Sequence, residues 1–231
     1  NYVRLVEHMV AMKMGLGVDR MMIRIDSGDP PLFDRGSMDI VEALDRAGRR
    51  PCDAPVRRFT VKEPVAVASP QGQFVMIEPC DPDKPGLTVD CGVAFNTAIG
   101  QQRIRFPVTE EWIRHGAVAR TNTPHSKAIY CWTIGKLFAD VRNLGYSKEN
   151  VLIAGRKRYI NEPRLIHEGK SLEATWHRGV LDLLAALALV EEGQLAGHVT
   201  SYKAGHRMDV LLITQLYMND LLVPVSTPRQ G

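Results

Sequence analysis

Histidines and carboxylates are the usual metal ligands and proton carriers of proteins, and three groups of them stand out in this sequence. Glu7 directly precedes His8 in a stretch with helical spacing. His177, Arg178 and Asp182 lie on the most apolar helix pattern of the chain. Lys203 and His206 flank Ala204-Gly205 at a strand-to-helix turn. Each group also has a plain explanation. An acid beside a histidine is commonly a surface feature, Arg178 and Asp182 have the spacing of an ordinary helix ion pair, and His206 can simply end a loop. Spacing alone leaves the choice open.

The elements that must position these groups follow from periodicity. Apolar residues recur at helical spacing over 2–14 and stop at Gly15 and Gly17. Residues 20–26 read as a strand, 27–31 as a turn, and 38–47 as a second helix closed by Gly48. Residues 49–55 are the best linker. Beyond it, strands are expected over 56–63, 65–68, 74–78 and 87–96, with helices over 109–115 and 136–144 and a short strand at 151–154. The strongest helix covers 172–190, followed by a strand at 195–201 and a helix at 207–222. With no βαβ rhythm and no glycine-rich phosphate loop, the class is α+β, helices layered on sheet.

Composition narrows the function. A chain of 231 residues, 45% of them hydrophobic, can build a sizeable core in one large or two modest domains. Its 29 basic and 26 acidic residues leave a net charge of +3 without a basic run. That argues against nucleic acid and leaves room for a phosphate-bearing small ligand. No apolar stretch is long enough to span a bilayer, so stable membrane insertion is not expected. Cys52, Cys80, Cys91 and Cys131 form no CxxC pair and are expected to be free thiols in a reducing compartment. The sequence opens at Asn1 inside a helix pattern and shows no signal peptide, so a preceding stretch is expected.

Six segments, in order, carry a resemblance. Val6-Glu7-His8-Met9 with Gly15-Leu16-Gly17-Val18-Asp19 resembles a TVEHL…GLGID segment, and Asp29 through Asp34 an EIPIMDGSA loop. Ala94-Phe95-Asn96 is similar to a DFNHP strand and Ala119-Arg120-Thr121 to an ART element. Leu181-Asp182 falls at the end of an HKxLD helix, and Tyr202-Lys203-Ala204-Gly205-His206 resembles a YKSGH turn. Together these are similar to the zinc-dependent UDP-3-O-acyl-N-acetylglucosamine deacetylase family of lipid A biosynthesis. The resemblance implies two α+β domains, each layering helices on a sheet, with the active site between the helix layers. Residues 1–50 would be the remainder of the first domain and 56–231 the second. It also implies a cytoplasmic amidohydrolase with Zn2+ as cofactor and a UDP-linked acylated glucosamine, or a related ligand, as substrate.

By the same resemblance Glu7 is the general base, His8 and Asp182 are zinc ligands, Thr121 donates to the oxyanion and His206 protonates the leaving amine, with Lys203 in the catalytic set. The third ligand departs from the pattern. Four residues before Asp182 stands Arg178, whose guanidinium has no lone pair; His177 is five before it. At about 100° per residue, a regular helix puts His177 about 140° from Asp182. His177 can therefore join the metal only if the helix bulges, which Gly179 would ease. The family's Lys after its second His is Gly179 here, its further Asp is Ala186, and Asn122 follows the ART element. These departures support an alternative, a catalytically degenerate homologue in which the Arg178 cation faces Asp182 and Glu7 and stands in for the metal. Such a chain would work by binding ligand or by pairing with a related subunit.

Overall fold

The computed structural model describes residues 6–18, 20–25, 30, 33–51, 56–124, 147–191 and 193–225. Two helices come first, α1 (Glu7–Gly15) and α2 (Met38–Ala47). The bounds of α2 are those expected from sequence. Gly48 adopts φ 76° and its N–H closes on the carbonyls of Leu44 and Asp45, a stop that favours glycine. Residues 21–25, expected as a strand, are irregular, and Met22 and Ile23 are exposed. No strand lies beside them among the described residues, and an extended run gains ladder hydrogen bonds only from a neighbour.

Strands β1 (Arg58–Val61), β2 (Val65–Ala68), β3 (Phe74–Glu78), β4 (Leu87–Ala94) and β5 (Gln101–Pro107) follow, then α3 (Glu110–Gly116). β6 (Thr121–Pro124) pairs in parallel with β7 (Val151–Ala154), and β8 (Ile166–His167) forms a short hairpin with β9 (Lys170–Ser171). The long helix comes next, in three pieces: α4 (Glu173–His177), a π-helical stretch Arg178–Leu183, and α5 (Leu184–Leu187). The chain then runs through β10 (Gln194–Leu195), β11 (Gly197–Tyr202), α6 (His206–Met218) and β12 (Leu222–Pro224). The helix expected at 136–144 lies outside the described residues.

The main sheet has the order β2-β3-β11-β4-β5, with β11 parallel to β4 and the other pairs antiparallel. A smaller sheet is ordered β10-β1-β12. Alternation gives the main sheet one buried face: in β5, Gln102, Ile104 and Phe106 turn inward and their neighbours outward. The long helix lies on that face with α1 packed against it, which explains why it is apolar nearly all round. One hydrophobic cluster runs from Ala11, Met12 and Val41 through Val180, Leu181 and Leu184 to Val89 and Phe106. Each fully buried Leu or Phe in it contributes about 1.5–3 kcal/mol. At Gly116 an added Cβ would fall 2.5 Å from Val180 and 2.8 Å from Trp176, so only glycine lets α3 approach the long helix this closely. The fold is thus α+β, as expected.

Candidate metal centre

The long helix is not regular where the expected ligands lie. Over Arg178–Leu183 it widens to the π form, in which each hydrogen bond spans five residues. The turn then takes in more residues than the roughly 3.6 of an α-helix, and His177 and Asp182, five apart, come toward the same side. His177 Nδ1 lies 3.5 Å from Asp182 Oδ1. The obstacle that a regular helix would impose is therefore absent. Gly179 is the residue that lets the wide turn sit on the sheet: an added Cβ would meet Phe106 at 3.1 Å, Ile104 at 3.4 Å and Cys91 at 3.5 Å.

His8 completes a cluster. The ligand atoms of His8, His177 and Asp182 all lie within 4.8 Å of one another. The rings of His8 and His177 meet edge to face at 5.2 Å. Burial, with His177 and His206 close by, pulls the His8 ring down to about 3 despite Asp182, so it is neutral with a free lone pair. Burial pushes the Asp182 carboxyl up, but His177, His206 and Arg178 outweigh it and hold the carboxyl at about 2. A neutral imidazole and an ionised carboxylate are the forms that ligate metals.

The other expected site residues gather unequally. Thr121, the first residue of β6, places Oγ1 3.0 Å from His177 Nε2. His206 opens α6 and its Nε2 stands 3.8 Å from Asp182 Oδ1, with the ring mostly exposed. Glu7 opens α1 beside His8 and is half-buried. Lys203 is exposed, and its ammonium lies 5.3 Å above the Tyr202 ring.

Arg178 does not face Asp182 and Glu7 as a substitute for the metal. Its buried guanidinium instead reaches across to α6, where Nη2 lies 2.5 Å from Asp209 Oδ1. The wide turn accounts for this: by carrying His177 to the side of Asp182, it sends the adjacent Arg178 to another face. Two further residues around the site went unremarked in the sequence. Asp209 lies three positions after His206 on one helix, and a buried arginine requires some such carboxylate. Glu173, fully buried, accepts hydrogen bonds from the Arg120 backbone N–H (3.0 Å) and Nε (2.7 Å), tying Thr121's neighbour to the start of the long helix.

The same cluster-bearing sequence has relatives. A family profile described as LpxC, UDP-3-O-acyl N-acetylglycosamine deacetylase, matches residues 1–218. Similar proteins named UDP-3-O-acyl-N-acetylglucosamine deacetylase include one from Campylobacter jejuni subsp. jejuni serotype O:2, 24% identical over 93% of this chain and 68% of that protein. Another, from Nautilia profundicola, is 23% identical over 98% of this chain and 72% of its own length. A third, from Thermosynechococcus vestitus, is 29% identical over 91% of this chain and 68% of its own. A profile that spans nearly the whole sequence, joined to a His-His-Asp cluster at the meeting of α1 and the long helix, leaves one assignment: the chain belongs to the UDP-3-O-acyl-N-acetylglucosamine deacetylase family.

Proposed function

We propose that this chain is a zinc-dependent hydrolase that removes the acetyl group from a UDP-linked acylated N-acetylglucosamine in the cytoplasm. The observation that carries the reading is the π-helical stretch, which gives back the third ligand, His177, that a regular helix would deny. The donor set fits the metal. Two imidazoles and one carboxylate are a familiar hydrolytic zinc set that leaves a coordination position open, and His8 and Asp182 hold the protonation states it needs. Zinc held by His8, His177 and Asp182 supplies Lewis-acid activation of water and of a carbonyl oxygen.

The remaining work falls to the chain's own groups. Glu7 takes a proton from the attacking water as its oxygen bonds to the acetyl carbon. The Thr121 hydroxyl donates to the oxygen that becomes negative. His206 gives a proton to the amide nitrogen as the carbon–nitrogen bond breaks, leaving a free amine and acetate. Its exposed ring can be reprotonated from solvent. Lys203, three residues earlier on the same turn, offers an ammonium to an anionic part of the substrate.

The test is the metal content of untagged protein purified without chelator and then offered zinc. About one zinc per chain is expected, with loss in His177→Ala and Asp182→Ala and with Glu7→Gln lowering turnover by ~10²-fold or more at full metal content. Retention of zinc by His177→Ala would overturn the reading.

A further inference from the structure

Arg178 makes hydrogen bonds on both sides of His206. Its Nε donates to the Ala204 carbonyl at 3.0 Å, and its Nη2 to Ser201 Oγ at 3.2 Å and Asp209 Oδ1 at 2.5 Å. Ser201 belongs to β11, Ala204 to the turn, and Asp209 to the first turn of α6, whose first residue is His206. One buried side chain thus joins the strand, the turn and the helix that carry this histidine. The turn needs outside support, because Lys203 sits at φ 53°, a region that residues with a Cβ seldom occupy.

The contact is also a poor choice if stability were its only purpose. Arg178 Nη1 and Asp209 Oδ2 are buried without a hydrogen-bond partner among the described residues. A half-satisfied buried ion pair is commonly outperformed by apolar side chains of the same volume. Its root in the chain is informative too: Arg178 directly follows His177, so one wide turn presents ligands on one side and this brace on another.

We infer that Arg178 is a positioning residue for His206, holding the 201–209 turn so that the imidazole stays beside Asp182. The inference rests on the reading of His206 as proton donor. The test uses the zinc-loaded chain and the paired change Arg178→Met with Asp209→Leu, which removes both charges and keeps the volume. The expected result is a Tm at or above that of the parent, full zinc content, and kcat lowered ~10²-fold with KM nearly unchanged. The His206 ring resonance in histidine NMR, assigned from His206→Ala, is expected to move while that of His167, in the β8–β9 hairpin, stays. In a His206→Ala background the paired change should lower kcat no further. If the pair fails to fold, Arg178→Lys and Ser201→Ala carry the same comparison with smaller effects. An unmoved His206 resonance, or a loss of kcat that persists in the His206→Ala background, would overturn the inference. Should His206→Ala itself leave kcat intact, the proton-donor reading fails, and the resonance alone decides whether Arg178 holds the turn.

Discussion

Two buried arginine–carboxylate pairs brace the long helix, one at its start and one at its wide turn, and they are finished to different degrees. Glu173 takes hydrogen bonds on both oxygens, from Arg120 and from the Arg164 backbone N–H at 2.6 Å, while Arg120 also reaches the carbonyls of Lys148 and Glu162. In the Arg178–Asp209 pair, one guanidinium nitrogen and one carboxylate oxygen find no partner among the described residues. A saturated network fixes its members at little residual cost, whereas an unsaturated one keeps a desolvation penalty for each idle atom. The first therefore acts as a foundation, setting β6 and Thr121 against the helix that bears His177. The second is a brace retained for the shape it imposes on the 201–209 turn.

The comparison breaks most visibly at the saturated pair. Glu173→Ala leaves Arg120 buried without its carboxylate and is expected to lower unfolding free energy by ~3–5 kcal/mol in urea titrations. A loss no larger than that of Asp209→Asn would put the two pairs on one level. Asp209→Asn keeps the shape of its side chain and is expected to cost ~1–3 kcal/mol by the same measurement. Ser201→Ala removes one neutral acceptor from Arg178 and should cost about 1 kcal/mol.

A half-exposed pair, a buried Asp90 with a surface Arg103, supplies the lower bound. Asp90 receives two short bonds from Arg103, which is 73% exposed. Arg103 holds the Asp90 carboxyl below its ordinary value. The folded state therefore binds this proton less readily than the unfolded chain does. The contribution is present above the unfolded pKa, about 3.9, and is lost as pH falls through the lower folded value. Asp90→Asn is expected to cost no more than about 1 kcal/mol near neutrality, with the difference from the parent vanishing in strong acid.

Much of this architecture was legible in the sequence, and the exceptions share physical causes. Strands at 65–68, 74–78 and 151–154 and the helix at 38–47 have the bounds that periodicity and Gly48 dictate. The alternation of β5 is equally regular, but Gln102 and the two arginines beside Ile104 dilute its apolar signal, and it is absent from the expected strands. The apolar run at 20–26 shows the opposite failure, since pattern cannot supply a partner strand. Of the candidate site, His8, Thr121 and Asp182 lie close to His177, and His206 lies beside Asp182. The direction of Arg178 was not legible, because it depends on the pitch of a single turn. Pitch is set by what packs beneath it, here Phe106, Ile104 and Cys91 under Gly179, residues far away in sequence.

The wide turn also makes spacing and function separable. Four residues of α-helix and five of π-helix can present the same two ligands, so the helix carries one residue of slack at its most constrained point. Deleting Arg178 would take up that slack, return His177 and Asp182 to the four-residue interval, and leave the His8–His177–Asp182 cluster while erasing the tether to α6. On the roles proposed above, a chain altered in this way would keep the metal ligands together with the proton donor set loose. Selection can thus retune the two halves of the site independently, by a change in length rather than a change in chemistry.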